Sequence, residues 1–205
     1  KGNQLSSLGR RATTKPDDTA RSNDWFTTLG IANDFGDAGS LTTDFSVRTR
    51  EVDSSYASSS WKNENHIVTS GITPKYTLEH KALGIPQTLI LGLDLYHAAD
   101  HILDGAMTGP NDTLNITKSS FGVYGQEELR LSDHLHLKAS LRHEVARYIF
   151  DQLAQSQLKE KSNLSETVYD VGIVVPYGND SSLYLDYSTS FRFPRGAAGT
   201  PRSSR

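Results

Sequence analysis

Residues 88–98 read Thr-Leu-Ile-Leu-Gly-Leu-Asp-Leu-Tyr-His-Ala, and the order of side chains in this stretch decides the fold class. Leu89, Leu91, Leu93 and Leu95 recur at every second position, with Gly92, Asp94 and Tyr96 on the other parity. A period of two is that of an extended strand, whose successive side chains point to opposite faces. A helix, with about 3.6 residues per turn, would scatter the same leucines around its circumference. Residues 135–142 repeat the arithmetic: Leu135, Leu137, Ala139 and Leu141 share one face, opposite His136, Lys138, Ser140 and Arg142.

Working outward, further strands read as Asp24 to Phe35, Ser40 to Val52, His66 to His80, Ile116 to Leu131, Glu166 to Val175 and Ser182 to Phe193, which makes eight in all. Several run beyond the roughly 5 to 6 residues common in soluble sheets and reach the ~9 to 11 that cross a bilayer at a tilt. Short turns are expected at Gly36 to Gly39, Ala82 to Gln87, Ser132-Asp133 and Tyr177 to Asp180. They alternate with three long polar segments, Asp53 to Asn65, Ala99 to Asn115 and Phe150 to Ser165, which read as loops; Ser54 to Ser60 is Ser-rich and reads as a loop tip. Short turns at one end of the strands and long loops at the other are the habit of transmembrane barrels. The fold class is therefore all-β, an antiparallel up-and-down meander forming part of a transmembrane β-barrel.

Composition agrees. Of 205 residues only 36% are hydrophobic, which is low for a closed core but natural for strands with one lipid-facing and one wet face. No apolar run reaches the ~20 residues of a spanning helix. Residues 1–22 are polar and contain no apolar stretch of the kind that directs export, so they read as a polar or partial extracellular loop. The barrel segment is expected over 23–194, and 195–205, with three arginines and no alternation, as an irregular tail. The absence of cysteine removes disulfide, thiol and zinc-ribbon chemistry. A net charge of -3 with scattered Lys and Arg excludes a nucleic-acid partner, which needs a basic face.

Tyr124-Gly125-Gln126-Glu127-Glu128-Leu129-Arg130-Leu131, followed by a tight turn and Leu135 to Glu144, resembles a hairpin of the TonB-dependent outer-membrane receptors. So do Tyr169 to Val174 and the run Leu183 to Pro194, which ends Ser-Phe-Arg-Phe-Pro. The resemblance is close from about Phe121 to Pro194 and generic from Asp24 to Ser120. It implies a bacterial outer-membrane location, contact with outer-membrane lipid, a siderophore or other metal chelate as cargo, and coupling to the TonB complex through a plug domain. Neither a plug nor a TonB-engaging segment is visible here, and Arg195 to Ala198 departs from the polar, acidic continuation of the family. Barrels of this kind have about 22 strands, so eight represent roughly a third of one wall.

The candidate residues follow from the alternation and the loops. Asp94, Tyr96, Lys138, Arg142 and Glu144 are expected to form the lumen wall, where cross-strand ion pairs are ordinary. Ligand-contact candidates are Tyr56, Trp61, His97, His101, Met107 and Phe150, in or beside the polar segments. His97 and His101 stand four apart beside Asp94 and Asp100, but that spacing aligns two imidazoles only on a helix, so no metal ligation is expected of that pair. Glu127, Glu128 and Glu144 do not form a catalytic carboxylate pair, and no nucleophile triad, phosphate loop or metalloprotease motif occurs. No enzyme and no cofactor are expected. Two other readings share the alternation: a complete eight-stranded barrel serving as an adhesion, structural or pore protein, and a soluble all-β binding module. The first requires the outermost strands to pair, and the second requires the leucine face to be buried.

Overall fold

The computed structural model describes residues 15, 17–108, 111–153, 158–177 and 181–193. Eight strands follow one another: β1 (Thr19–Asp34), β2 (Ser40–Tyr56), β3 (Trp61–Ala82), β4 (Ile85–Ala106), β5 (Asn111–Ser132), β6 (Leu135–Gln152), β7 (Lys159–Tyr177) and β8 (Ser181–Ser188). They form one antiparallel sheet in the order β1 to β8, each strand paired with its neighbour in sequence. Among the described residues β1 and β8 are its edges and do not pair with one another, unlike the outer strands of a closed eight-stranded barrel.

The short turns have local causes. Gly36 and Gly39 take φ of 63° and 90°, values that cost a residue without Cβ nothing, and the Phe35 N–H donates to the Gly39 carbonyl at 2.9 Å. Leu83 and Gly84, at φ 55° and 78°, make the two-residue turn between β3 and β4, so Ile85, Pro86 and Gln87 already belong to the strand. Between β5 and β6 the register shifts by one residue between Arg130 and Ser132, a bulge beside the Asp133-His134 turn. Pro74 interrupts the β3–β4 ladder, which skips from Ile72–Leu95 to Lys75–Gly92, because it has no N–H to give.

The three expected long loops are not loops. Asp53 to Tyr56 pair with Trp61 to Glu64, Ala99 to Gly105 with Asn111 to Thr117, and Phe150 and Asp151 with Glu160 and Lys159, leaving short links at 57–60, 107–110 and 153–158. Alternation fades in these stretches because neither face is apolar, yet the backbone ladder needs no apolar face to continue. Strands β3, β4 and β5 thus reach 22 residues each, about 70 Å of extended chain. Two boundaries also move. β1 begins at Thr19, inside the segment 1–22 read as loop, because Thr19 to Ser22 pair with Val52 to Ser55. β8 ends at Ser188 rather than Phe193; after Thr189, whose N–H donates to the Tyr169 carbonyl at 2.9 Å, the chain leaves the ladder and the rings of Phe191 and Phe193 pack at 4.7 Å. Residues 195–205, Pro194, the turn at 178–180 and all of 1–14 lie outside the described residues.

The register divides the sheet into two unlike faces. One carries Leu89, Leu91, Leu93 and Leu95 with Phe45, Val47, Ile72, Phe121, Val123, Leu137, Leu141 and Ile173, a continuous apolar band. The band stays open: Leu91 is 46% and Leu141 57% exposed. The only buried hydrophobic residues among those described, Ile116, Ala146 and Tyr148, lie on the opposite face. A soluble sandwich would bury the leucines, and this face leaves them open.

Candidate functional site

The opposite face, called the inner face below, carries every polar side chain that alternation assigned to a wall. Asp94 on β4 pairs through Gly122 on β5 with Glu144 on β6, and Gly92 pairs through Tyr124 with Arg142. These two adjacent rows put Arg142 between two carboxylates: Nη1 donates to Asp94 Oδ2 at 2.5 Å and Nη2 to Glu144 Oε2 at 2.8 Å. The guanidinium also lies 5.7 Å from the centre of the Tyr124 ring. Lys138, lower on β6, pairs with Asp170 at 3.4 Å. Tyr96, the fifth wall residue, lies flat across Gly71.

Glycine makes this wall flat enough to hold its rings. A Cβ built on Gly92 would overlap the Tyr124 ring, one on Gly71 would overlap Tyr96, and one on Gly122 would stand 2.9 Å from Arg142 Nη2. Tyr124, like Gly122, was not among the expected site residues. Its place over Gly92 depends on the β4–β5 register, which counting in twos along one strand does not supply.

Above the level of Leu95 the inner face widens into a cavity of about 810 Å³, walled by Arg48, Arg50, Asp100, Lys118, Glu144 and Tyr148 and roofed by Phe191 to Phe193. Arg48 is paired with Asp24. Lys118 Nζ lies 5.6 Å from the Tyr148 ring centre and 5.8 Å from that of Phe193. Burial pushes the Asp100 carboxyl above its ordinary range, and its Oδ1 is enclosed with no hydrogen-bond partner among the described residues. Phe150, outside the lining, stacks on Tyr148 of this chamber at 6.0 Å with ring planes 8° apart.

The other contact candidates separate. Tyr56 and Trp61 face each other across β2 and β3, and Trp61 Nε1 donates to Asp104 Oδ1 at 2.7 Å. Met107 joins them at the rim, its N–H donating to the Ser60 carbonyl at 2.8 Å. His97 and His101 do not belong with this group. Both have the parity of Leu95 on β4 and stand on the outer face, where His97 Nδ1 meets Ser119 Oγ at 3.0 Å and His101 Nδ1 meets Asn115 Oδ1 at 2.6 Å. Strand periodicity turns them away from any ligand in the chamber. Among the described residues no group of three His, Asp or Glu side chains stands in metal-holding geometry.

A sheet with an open apolar face, an ion-paired inner wall and strands that overrun a bilayer has counterparts. The family model for the TonB-dependent receptor-like β-barrel matches residues 2–203. The chain belongs to the TonB-dependent receptors. The sheet is therefore part of a bacterial outer-membrane β-barrel. Among solved structures, the ferric citrate transporter FecA in its unliganded form superposes with a TM-score of 0.80 at 10% identity, covering 91% of this chain and 30% of that one. The open form of the ferric-catecholate import receptor Fiu from E. coli K12 gives 0.76 at 10% identity, covering 88% and 37%. The ferric yersiniabactin uptake receptor FyuA from Yersinia pestis gives 0.63 at 13% identity, covering 85% and 29%. The chain thus spans about a third of the length of the structures it matches. No curated protein matches it in sequence.

Proposed function

We propose that this chain supplies part of the wall and outer rim of a transporter that imports a siderophore or other metal chelate, driven by the TonB complex through a plug domain. The observation that carries the reading is the family match over 2–203. Two features of the lumen side support it. The rows of Asp94, Tyr96, Lys138, Arg142 and Glu144 offer a polar wall of fixed, mostly paired charges on which a plug can seat and slide without meeting lone buried ions. Above it, Tyr56, Trp61, Met107 and Phe150 ring the approach with aromatic and thioether surface, suited to the organic shell of a chelate rather than to bare metal. The role so read is one of binding and passage.

Uptake of a labelled ferric chelate by cells expressing the intact receptor tests the proposal, in strains with and without TonB. Uptake should require TonB, and Trp61→Ala should raise the half-saturating chelate concentration without changing the amount of receptor assembled. Full uptake in the strain lacking TonB would overturn the mechanism.

A further inference from the structure

On the outer face, beyond the apolar band, one row of directly paired residues crosses four strands: Glu51 on β2, His66 on β3, His101 on β4 and Asn115 on β5. It is the one register position among the described residues where two imidazoles face each other across a strand pair. Their Cβ atoms are therefore about 4.5 to 5.5 Å apart. Each ring is also tethered to the outside of the pair. His101 Nδ1 meets the Asn115 carbonyl oxygen at 2.6 Å, and His66 Nδ1 stands 3.5 Å from Glu51 Oε1.

An amide oxygen only accepts, so the His101 Nδ1–Asn115 contact is a hydrogen bond donated by the ring, and the carboxylate beside His66 Nδ1 favours the same orientation of that ring. This is how metal-bound imidazoles are oriented: the far nitrogen bonds an acceptor, which fixes the ring and raises the basicity of the ligating one. A cavity of about 190 Å³ beside the row is lined also by Asp53, which adds negative charge where a cation would sit, and by Glu64, which is paired with Lys62 at 3.3 Å. We infer that His66 and His101 form a two-imidazole site for a divalent transition-metal cation of the zinc, nickel or copper class, with Glu51 and Asn115 as positioning residues. Imidazole nitrogen suits these metals, and water completes the shell, as expected of an open surface site. The site is separate from the lumen, lies on the opposite side of the wall, and does not depend on what the receptor imports.

The test is copper(II) alone, titrated into the intact receptor in detergent and read by electron paramagnetic resonance. One bound equivalent should show hyperfine coupling to two imidazole nitrogens. His66→Ala and His101→Ala should each abolish the two-nitrogen signal and weaken binding at least ~10-fold, while Glu51→Gln should weaken binding ~10-fold and keep the signal. His97→Ala, on the same face but opposite serines, should change nothing. Assembly is checked by heat-modifiable gel mobility, and Gln replaces Ala wherever a variant does not assemble. Unaltered spectra in both His66 and His101 variants, an equal loss in His97→Ala, or no bound equivalent in the unsubstituted receptor would overturn the assignment.

Discussion

Asp100 is held in surroundings that oppose its charge. It stands on the inner face between Ile67 of β3 and Ile116 of β5, five residues beyond Leu95, where the apolar band of β4 ends, and so outside the spanning segment. Its folded pKa lies above the unfolded value because burial penalises the ionised form. The native state therefore binds the proton more readily than the unfolded chain, and this group's contribution to stability falls as pH rises from the ordinary carboxylate range through the folded pKa. Asp100→Asn removes that penalty. The variant should unfold at a higher temperature than the parent near neutral pH, and the difference should vanish below about pH 4, where the parent's carboxyl is itself neutral. An equal gain at both pH values would mean that charge is not the cause, and a loss at neutral pH would reveal a partner for the carboxylate. At this scale the sequence is half legible. Counting in twos tells which face Asp94, Arg142 and Glu144 take. It does not tell that Tyr124 lies on Gly92 or that His66 meets His101, because those meetings are fixed by the register between strands.

At the scale of elements, the hairpin of β3 and β4 shows what local chemistry dictates and where it yields. Gly84 accepts φ of 78° freely, but Leu83 at 55° carries a Cβ into the left-handed region while its side chain is fully exposed. A left-handed residue other than Gly, Asn or Asp costs about 1 to 2 kcal/mol, and here no packing offsets it. Leu83→Asn would create the Asn-Gly pair that two-residue turns favour. It should stabilise the hairpin by about 1 kcal/mol, seen as a higher urea midpoint for folding into lipid vesicles, whereas Gly84→Val should lower that midpoint. The turns were readable because Gly, Pro and Asp punctuate them. The far ends of the strands were not: once both faces are wet, hydrophobic alternation disappears, although hydrogen bonding between Asp53 to Tyr56 and Trp61 to Glu64 continues without interruption. A periodic signal reports the solvent on each face, and only through it the conformation of the chain.

For the whole molecule the governing fact is that one face changes polarity along its length. On β4 the outer positions run Leu89, Leu91, Leu93, Leu95 and then His97, Ala99, His101 and Leu103, so an apolar run gives way to a more polar one without any change in backbone. Leu93 and Leu103 share a strand, a face and a residue type, and differ only in depth. Leu93→Arg places a guanidinium within the apolar band, where it costs about 2 to 4 kcal/mol near the midplane. Leu103→Arg places the same group beside Glu51, Asp53 and Glu64, where water and acidic neighbours receive it. At equal expression, Leu93→Arg should reduce the heat-modifiable, assembled form of the receptor and Leu103→Arg should leave it at the parent's level. Because strand propensity, volume and charge change identically in the two variants, a difference between them can come only from what surrounds the site. Equal assembly would mean that the leucine face does not meet lipid, and the assignment of lumen and membrane sides would have to be reversed.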